Sequence, residues 1–349
     1  MNPNLSKISW KVSEEVYRAD LALSYSTIAR FAREGFSNLS HLFDRIETPS
    51  LTFGSAVDAL ITGGQEEFDR AFIVAEFPEI SDNLQTIAKT LFDKFSTTHR
   101  SIDSIDENIL AEIGASCGFY ANEKYKNYRV KLIKEGCQEY YNIMYAAQGK
   151  TILSTQTKSQ VDATVNALKT SPATQFYFQP DSPFDTSVQR FYQLKFKATF
   201  FGIDYRCMMD ECIVDHNAKT IQPIDLKTTG HPEWEFFNSF IQWQYQIQAR
   251  LYYRILKANI EKYDAFQGYT ILPYKFIVVN KNTLTPLVWK FEDTFRTGTL
   301  IYGKSNQIIC RDPFDLGKEL SFYLSTRPQV PMEISIENSN SLINKLKEL

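Results

Sequence analysis

The segments SVQRFYQLKFKATFFGIDYRCMMDECIVD (187–215) and KTIQPIDLKTT (219–229) decide the fold of this chain. They are rich in Val, Ile, Phe, Tyr and Thr, which suit a pleated, half-buried surface, and they read as consecutive strands. Asp215 to Lys219 supplies the turn between the last two. With the turn centred between Asn217 and Ala218, Asp215 faces Thr220 and Asp210 falls opposite Asp225. Side chains alternate along a strand, so Lys227 shares the face of Asp225. A one-residue slip would break this alignment. Pro223 points to an edge position or a bulge.

Two carboxylates this close repel unless a cation lies between them or one is protonated. Oxygen-only donors favour a hard divalent ion such as Mg²⁺ or Mn²⁺. A lysine beside such an ion can orient a water and stabilise charge developing on a phosphate. For an isolated hairpin, a solvent-facing acid pair bridged by Lys227 is an equal alternative. Against it, Asp225-Leu226-Lys227 is the only acid-x-lysine triplet in the sequence.

Downstream, a helix is expected from about Trp234 to Ala258, then strands at KFIVVNK (275–281) and PLVWKFE (286–292), then helices between 294 and 325. Gln248 and Tyr252, four apart, share a helix face that can pack over the hairpin; a half-buried tyrosine with a polar neighbour is the plainer reading. Upstream, Ser24 or Ser26 caps a helix that Gly35 stops, and a second short helix covers Asn38 to Arg45. Phe53, Val57, Leu60 and Ile61 repeat at helical spacing until Gly63-Gly64, leaving Asp58 inside a mostly apolar helix, an unusual place for a carboxylate. Residues 68–80 read as strand or extended chain, and 83–170 as helices. The expected architecture is α/β (α+β): a mixed central sheet flanked by helices. It forms one domain over 1–330, with a helical N-terminal region (1–82), a helical segment (83–170), a sheet and helix (187–290) and helices (294–325). Residues 331–349 are an appendage.

The 349 residues are 43% hydrophobic and 23% charged, which excludes collagen-like or largely disordered chains. No apolar run reaches the ~18–20 residues that cross a bilayer, and the N-terminus has no signal-peptide core. The five cysteines, an odd count, fit a reducing cytoplasm better than a disulfide framework. The net charge of −3 argues against a generally basic nucleic-acid binder, though not against a local basic groove. Cys207 and Cys212, five apart, are expected on opposite strand faces as packing residues. The four histidines form no ligand-spaced pair. The chain has no GxxxxGK[ST] phosphate loop.

Four motifs stand in order: Gly54-Ser55-Ala56-Val57-Asp58, Asp210, Asp225-Leu226-Lys227-Thr228-Thr229 and Gln248-Ala249-Arg250-Leu251-Tyr252. In this the chain resembles the PD-(D/E)XK nuclease superfamily, and within it the RecE-like exodeoxyribonucleases of phage and prophage recombination. Leu23-Ser24-Tyr25-Ser26 is also similar to the group's N-terminal start. The resemblance implies a restriction-endonuclease-like sheet and Mg²⁺ or Mn²⁺ held by Asp210, Asp225 and the Leu226 carbonyl. It makes Lys227 the residue that positions the attacking water, and Gln248 and Tyr252 supports for the site. It further implies double-stranded DNA ends as substrate, with a single-strand annealing recombinase and a homo-oligomer as partners. One position departs from the pattern: the group's helix histidine is Asp58 here. Its oxygen would give the ion a third carboxylate, or the site has lost its activity.

Lys124, Lys126, Arg129 and Lys131, interleaved with Tyr125 and Tyr128, suit a DNA backbone and an unstacked base, or equally a solvated amphipathic helix. Arg30 and Arg33 on the early helix could line the same groove.

Overall fold

A computed structural model describes residues 2–44, 46–292, 298–302 and 306–326. In chain order the helices and strands are α1 (Glu14–Ala19), α2 (Tyr25–Glu34), α3 (Pro49–Thr62), α4 (Gly64–Ala71), β1 (Phe72–Val74), α5 (Asp82–Phe95), α6 (Glu107–Ser116) and α7 (Lys126–Ala147). Then come β2 (Thr151–Leu153), α8 (Thr155–Thr170), α9 (Gln175–Phe178), β3 (Val188–Phe200), β4 (Ile203–Asp215) and β5 (Thr220–Thr229). The remainder are α10 (Phe236–Gln242), α11 (Tyr245–Ile260), β6 (Thr270–Ile271), β7 (Lys275–Asn280), β8 (Leu287–Lys290), β9 (Gly298–Tyr302), β10 (Asn306–Cys310) and α12 (Pro313–Thr326). No helix among the described residues is long and apolar enough to cross a membrane.

The chain divides into two compact units, residues 1–54 with 164–349, and residues 55–163. In the second, α5, α6 and α7 bury Ile87, Leu91, Leu110, Ile133, Cys137 and Tyr141 among their neighbours, and β1 pairs parallel with β2. The first unit holds a mixed sheet flanked by helices, with strand order β3-β4-β5-β7-β8 and β6 pairing with β5. The β3–β4, β4–β5 and β7–β8 pairs are antiparallel, while β5 runs parallel to β6 and β7. Its core gathers Phe196, Tyr205, Cys207, Met209, Val214, Ile221, Phe276 and Val278 of the sheet. Against them pack Ile247, Leu251 and Ile255 of α11, Ile28 and Phe31 of α2, and Leu316 and Leu320 of α12.

Local chemistry explains α2: the Ser24 hydroxyl accepts from Thr27 N–H at its start, and Gly35 at φ +64° stops it. Several expected elements differ. The short helix at 38–45 is a 3₁₀ segment over Gly35–His41. Residues 68–71 finish α4 before a short strand, because Gly64 starts a new helix instead of a loop. The long helix from Trp234 breaks at Gln244, held at φ +55°, into α10 and α11. Two antiparallel strands, β9 and β10, stand where helix was expected before α12. The appendage at 331–349 lies outside the described residues.

Pro223 is not at an edge, since β5 has partners on both sides. It is tolerated because β5 exchanges one parallel partner for another there: β6 pairs with Thr220 and Ile221, and β7 begins at Ile224. The missing N–H falls in that gap. Gln222 spans it, its Nε2 donating to the Pro273 carbonyl at 2.7 Å.

Candidate active site

The β4–β5 hairpin has the expected register, with Asp215 opposite Thr220 and Glu211 opposite Ile224. There the ladder ends. Beyond Ile224, β5 follows β7 through Thr229. The edge of β4 that β5 leaves is filled instead by the N-terminal segment: Leu23 N–H donates to Asp204 O at 2.9 Å, and Arg206 N–H donates to Leu23 O at 3.0 Å. The sheet thus forks at Asp210. Leu226 N–H, which a continuing β4 would have paired, donates to Asp210 Oδ2 at 2.9 Å. The carboxylate replaces a lost ladder bond.

The strands shift phase at the same place. Tyr205, Cys207 and Met209 face the core below the fork, whereas above it Cys212 and Val214 do. On β3, Leu194 and Phe196 give way to Phe191 across Gln193, which takes φ +50°. Cys207 and Cys212 therefore share one core, correcting the expectation of opposite faces. That expectation assumed an unbroken two-residue period.

Asp225 is the centre of the site. It is buried, its Oδ2 lies 2.7 Å from Lys227 Nζ, and its Oδ1 accepts from Gln248 Nε2. Burial alone would depress the Lys227 ammonium, but Asp225, Tyr245 and Asp210 together outweigh it and hold it above the ordinary lysine range. Nζ also sits 4.6 Å from the centre of the Tyr245 ring. Tyr252, one turn beyond Gln248 on α11, and Tyr274, just before β7, are buried phenols. Burial first, with the Asp225 and Asp210 charges adding to it, pushes both well above the ordinary range.

The first unit thus brings together Asp210, Asp225, Leu226, Lys227, Gln248 and Tyr252. Asp58 is half-buried on α3, in the stretch that belongs to the second unit. No group of three or more His, Cys, Asp or Glu able to hold a metal ion occurs among the described residues. Gly54, the first residue of the Asp58 motif, approaches β5 closely: a Cβ there would meet Thr228 Oγ1 at 3.2 Å.

Sequence reasoning missed a layer of aromatic residues. Tyr25 packs 6.0 Å from Tyr245, ring centre to ring centre, and its hydroxyl donates to Trp243 O at 2.8 Å. Tyr245 stands three residues before Gln248 on one helix, a spacing that could have found it; Tyr25 and Trp243 had no such signal. Arg33, exposed, stacks 5.2 Å from Trp243 beside this layer. Arg30 instead pairs with Glu34 at 3.1 Å.

In the second unit, Lys124, Lys126 and Lys131 reach the surface, but Arg129 is 2% exposed and donates to the Tyr120 carbonyl. Its expected contact with a phosphate is corrected: it faces inward on α7 and braces a loop.

No protein-family model matches the chain, and no curated protein matches it. A solved structure from Eubacterium rectale, described as a candidate exonuclease, is similar over 97% of this chain and 87% of that one, at 12% identity and a TM-score of 0.41.

Proposed function

We propose that this chain is a metal-dependent deoxyribonuclease of the PD-(D/E)XK type, degrading linear double-stranded DNA from an end to leave a single strand. One observation supports this above the rest: Asp210, Asp225 and Lys227 share one face at the sheet fork, with Gln248 fixed on Asp225. The oxygen donors suit a hard divalent ion, and the buried Asp225 Oδ2 makes no hydrogen bond among the described residues, meeting only the Lys227 charge. Asp210, Asp225 and the Leu226 carbonyl would hold Mg²⁺ or Mn²⁺. Such an ion, when bound, polarises a phosphodiester and acidifies a bound water.

The chain's own groups do the rest. Lys227, kept as an ammonium by its acidic neighbours, aligns the water and stabilises charge developing on the phosphate. Gln248 orients Asp225 through its amide, so that the carboxylate's other oxygen is directed to Lys227. Tyr252, a buried phenol one turn beyond Gln248, supports the site from the core side. Arg33, exposed beside Trp243, would take a phosphate. Lys124, Lys126 and Lys131 would add backbone contacts, each lowering log affinity by roughly 0.9 per log unit of salt. A RecE-like role with a single-strand annealing recombinase and a homo-oligomeric assembly belongs to the same reading.

The test is to incubate end-labelled linear duplex and closed circular DNA with Mg²⁺ or Mn²⁺, using Lys227→Ala as control. Loss of linear DNA alone supports the exonuclease, and cutting of circles an endonuclease on the same core. Binding without cleavage under every metal would leave a DNA-end-binding protein. For Asp58, the His substitution should keep cleavage and shift the Mg²⁺/Mn²⁺ preference, whereas unchanged metal affinity and cleavage in Asp58→Ala would remove it from the ligand set.

A further inference from the structure

We propose that Tyr120, Tyr125 and Tyr128 in the second unit form a stacking surface for unpaired nucleotides, with Lys124, Lys126 and Lys131 holding the phosphates. The three rings are 43%, 41% and 50% exposed, although aromatic side chains ordinarily bury most of their area. Tyr120 is edge-on to both of the others, 5.8 Å from Tyr125 at 72° and 5.2 Å from Tyr128 at 87°. Each of the three residues keeps much of its surface open to solvent, where a flat base can lie.

The surface is rigid, so little ordering cost falls on binding. Tyr120 takes φ +44°, which a side-chain-bearing residue adopts only when its surroundings enforce it. The enforcement is visible on both sides. The Phe119 ring is buried and packs edge-on to Tyr120 at 4.9 Å. The buried Arg129 guanidinium donates to the Tyr120 carbonyl from below. Asn122 caps the next turn, its Oδ1 accepting from Lys124 N–H at 3.1 Å.

The charges around the rings favour a polyanion. Lys124 Nζ sits 4.7 Å from the Tyr125 ring centre, and Lys126 and Lys131 follow on the first turns of α7. The acids nearest those two lysines are loosely placed: Glu123 lies 3.9 Å from Lys126, and Glu135 lies 3.9 Å from Lys131. Exposed pairs at that distance contribute little, so both ammonium groups can turn to a phosphate. Lys134 is held at 2.7 Å by Glu107 and is left out of the assignment. A partner with one π face and one negative charge per unit matches rings and lysines together. A duplex offers the charges but keeps its base faces covered, so the unpaired form is the one assigned. This surface does not depend on the nuclease reading.

The test uses the full chain with EDTA present, so that no cleavage can occur, and labelled oligo-dT, oligo-U and a duplex of equal length, read by fluorescence anisotropy. The expected result is binding of one or both single strands that depends on the tyrosines, while duplex binding, made through charges, does not. Tyr125→Ala with Tyr128→Ala should weaken single-strand binding by about fivefold or more per ring, and Tyr125→Phe with Tyr128→Phe should retain it. Lys126→Gln and Lys131→Gln should each reduce the salt slope by roughly 0.7, which tests the surface without touching the rings. Single-strand binding equal in the alanine variant and the parent, equal losses in the alanine and phenylalanine variants, equal losses of single-strand and duplex binding in the alanine variant, or no binding of any single strand would each overturn the proposal. Melting temperature and circular dichroism confirm that each variant is folded.

Discussion

Asp210 and Glu211 are adjacent on β4, carry the same functional group, and have opposite surroundings. Asp210 lies on the face of the fork, where Leu226 N–H bonds to it and Asp225, Lys227 and Gln248 gather. Glu211 is 2% exposed, and neither of its oxygens has a hydrogen-bond partner among the described residues. Its ladder neighbours are Tyr192 and Ile224. The difference teaches that burial alone does not make an acid functional. Glu211 has the Arg190 charge near it but no hydrogen bond among the described residues, whereas the fork gives Asp210 the Leu226 N–H and two further charged neighbours.

The largest break in this contrast should come from the fork. Lys227→Ala or Asp225→Asn should lower cleavage of labelled linear duplex by at least about 10²–10³-fold in variants that circular dichroism shows to be folded. If cleavage persisted, the acids at the fork would be structural and the two faces would differ only in solvation. Gln248→Ala should have a smaller effect, about 10–100-fold, because it removes a support for Asp225 and no reacting group. Titrating Mg²⁺ against activity would show whether the loss lies in metal affinity.

On the opposite face the sign reverses. Glu211→Leu replaces a buried, unbonded carboxyl with an apolar side chain of similar size, and should raise stability by about 1–3 kcal/mol in urea unfolding. Cleavage should be retained. A folded Glu211→Leu variant without activity would show that both faces serve the site.

The smallest effect belongs to the far end of the strand, where His216 bonds Tyr269 Oη at 2.8 Å and Gln189 Oε1 at 2.9 Å. Burial holds this imidazole below its ordinary value of 6.5. Folding therefore favours the neutral ring: its contribution is present above pH 6.5 and is lost as pH falls toward the depressed value. Thermal melts of the parent should weaken across that window. His216→Gln should lack this component of the slope, and an identical pH profile in the variant would assign it to other groups.

Much of this was legible in order and spacing. The turn residues Asp215 to Lys219 set a register that the ladder reproduces, and the alternation of Asp225 and Lys227 placed them on one face. Ser24 and Gly35 bounded α2 because caps act within a single turn. The spacing of Cys207 and Cys212 misled, since a two-residue period holds only where a strand is undistorted, and β4 shifts phase at the candidate acid. Arg129 read as a surface cation because its charge was visible and its inward face was not. Trp243 and Tyr245 carried no motif, Tyr25 lay in one that said nothing of Lys227, and only packing around Lys227 assembles the three.

The sequence by itself determined the elements of the hairpin, its register and which acid travels with which lysine, because propensity, turn chemistry and alternation act over a few residues. Only the tertiary structure decided that β5 leaves β4 for β7, that Leu23 takes the vacated edge, that Pro223 sits where one partner strand hands over to another, and that Asp210 faces Asp225 and Lys227 while Glu211 is buried on the Arg190 side. Those choices depend on which distant segment completes each ladder. Such pairing is settled by the competition of long-range partners for the same backbone groups, and no local window of sequence records it.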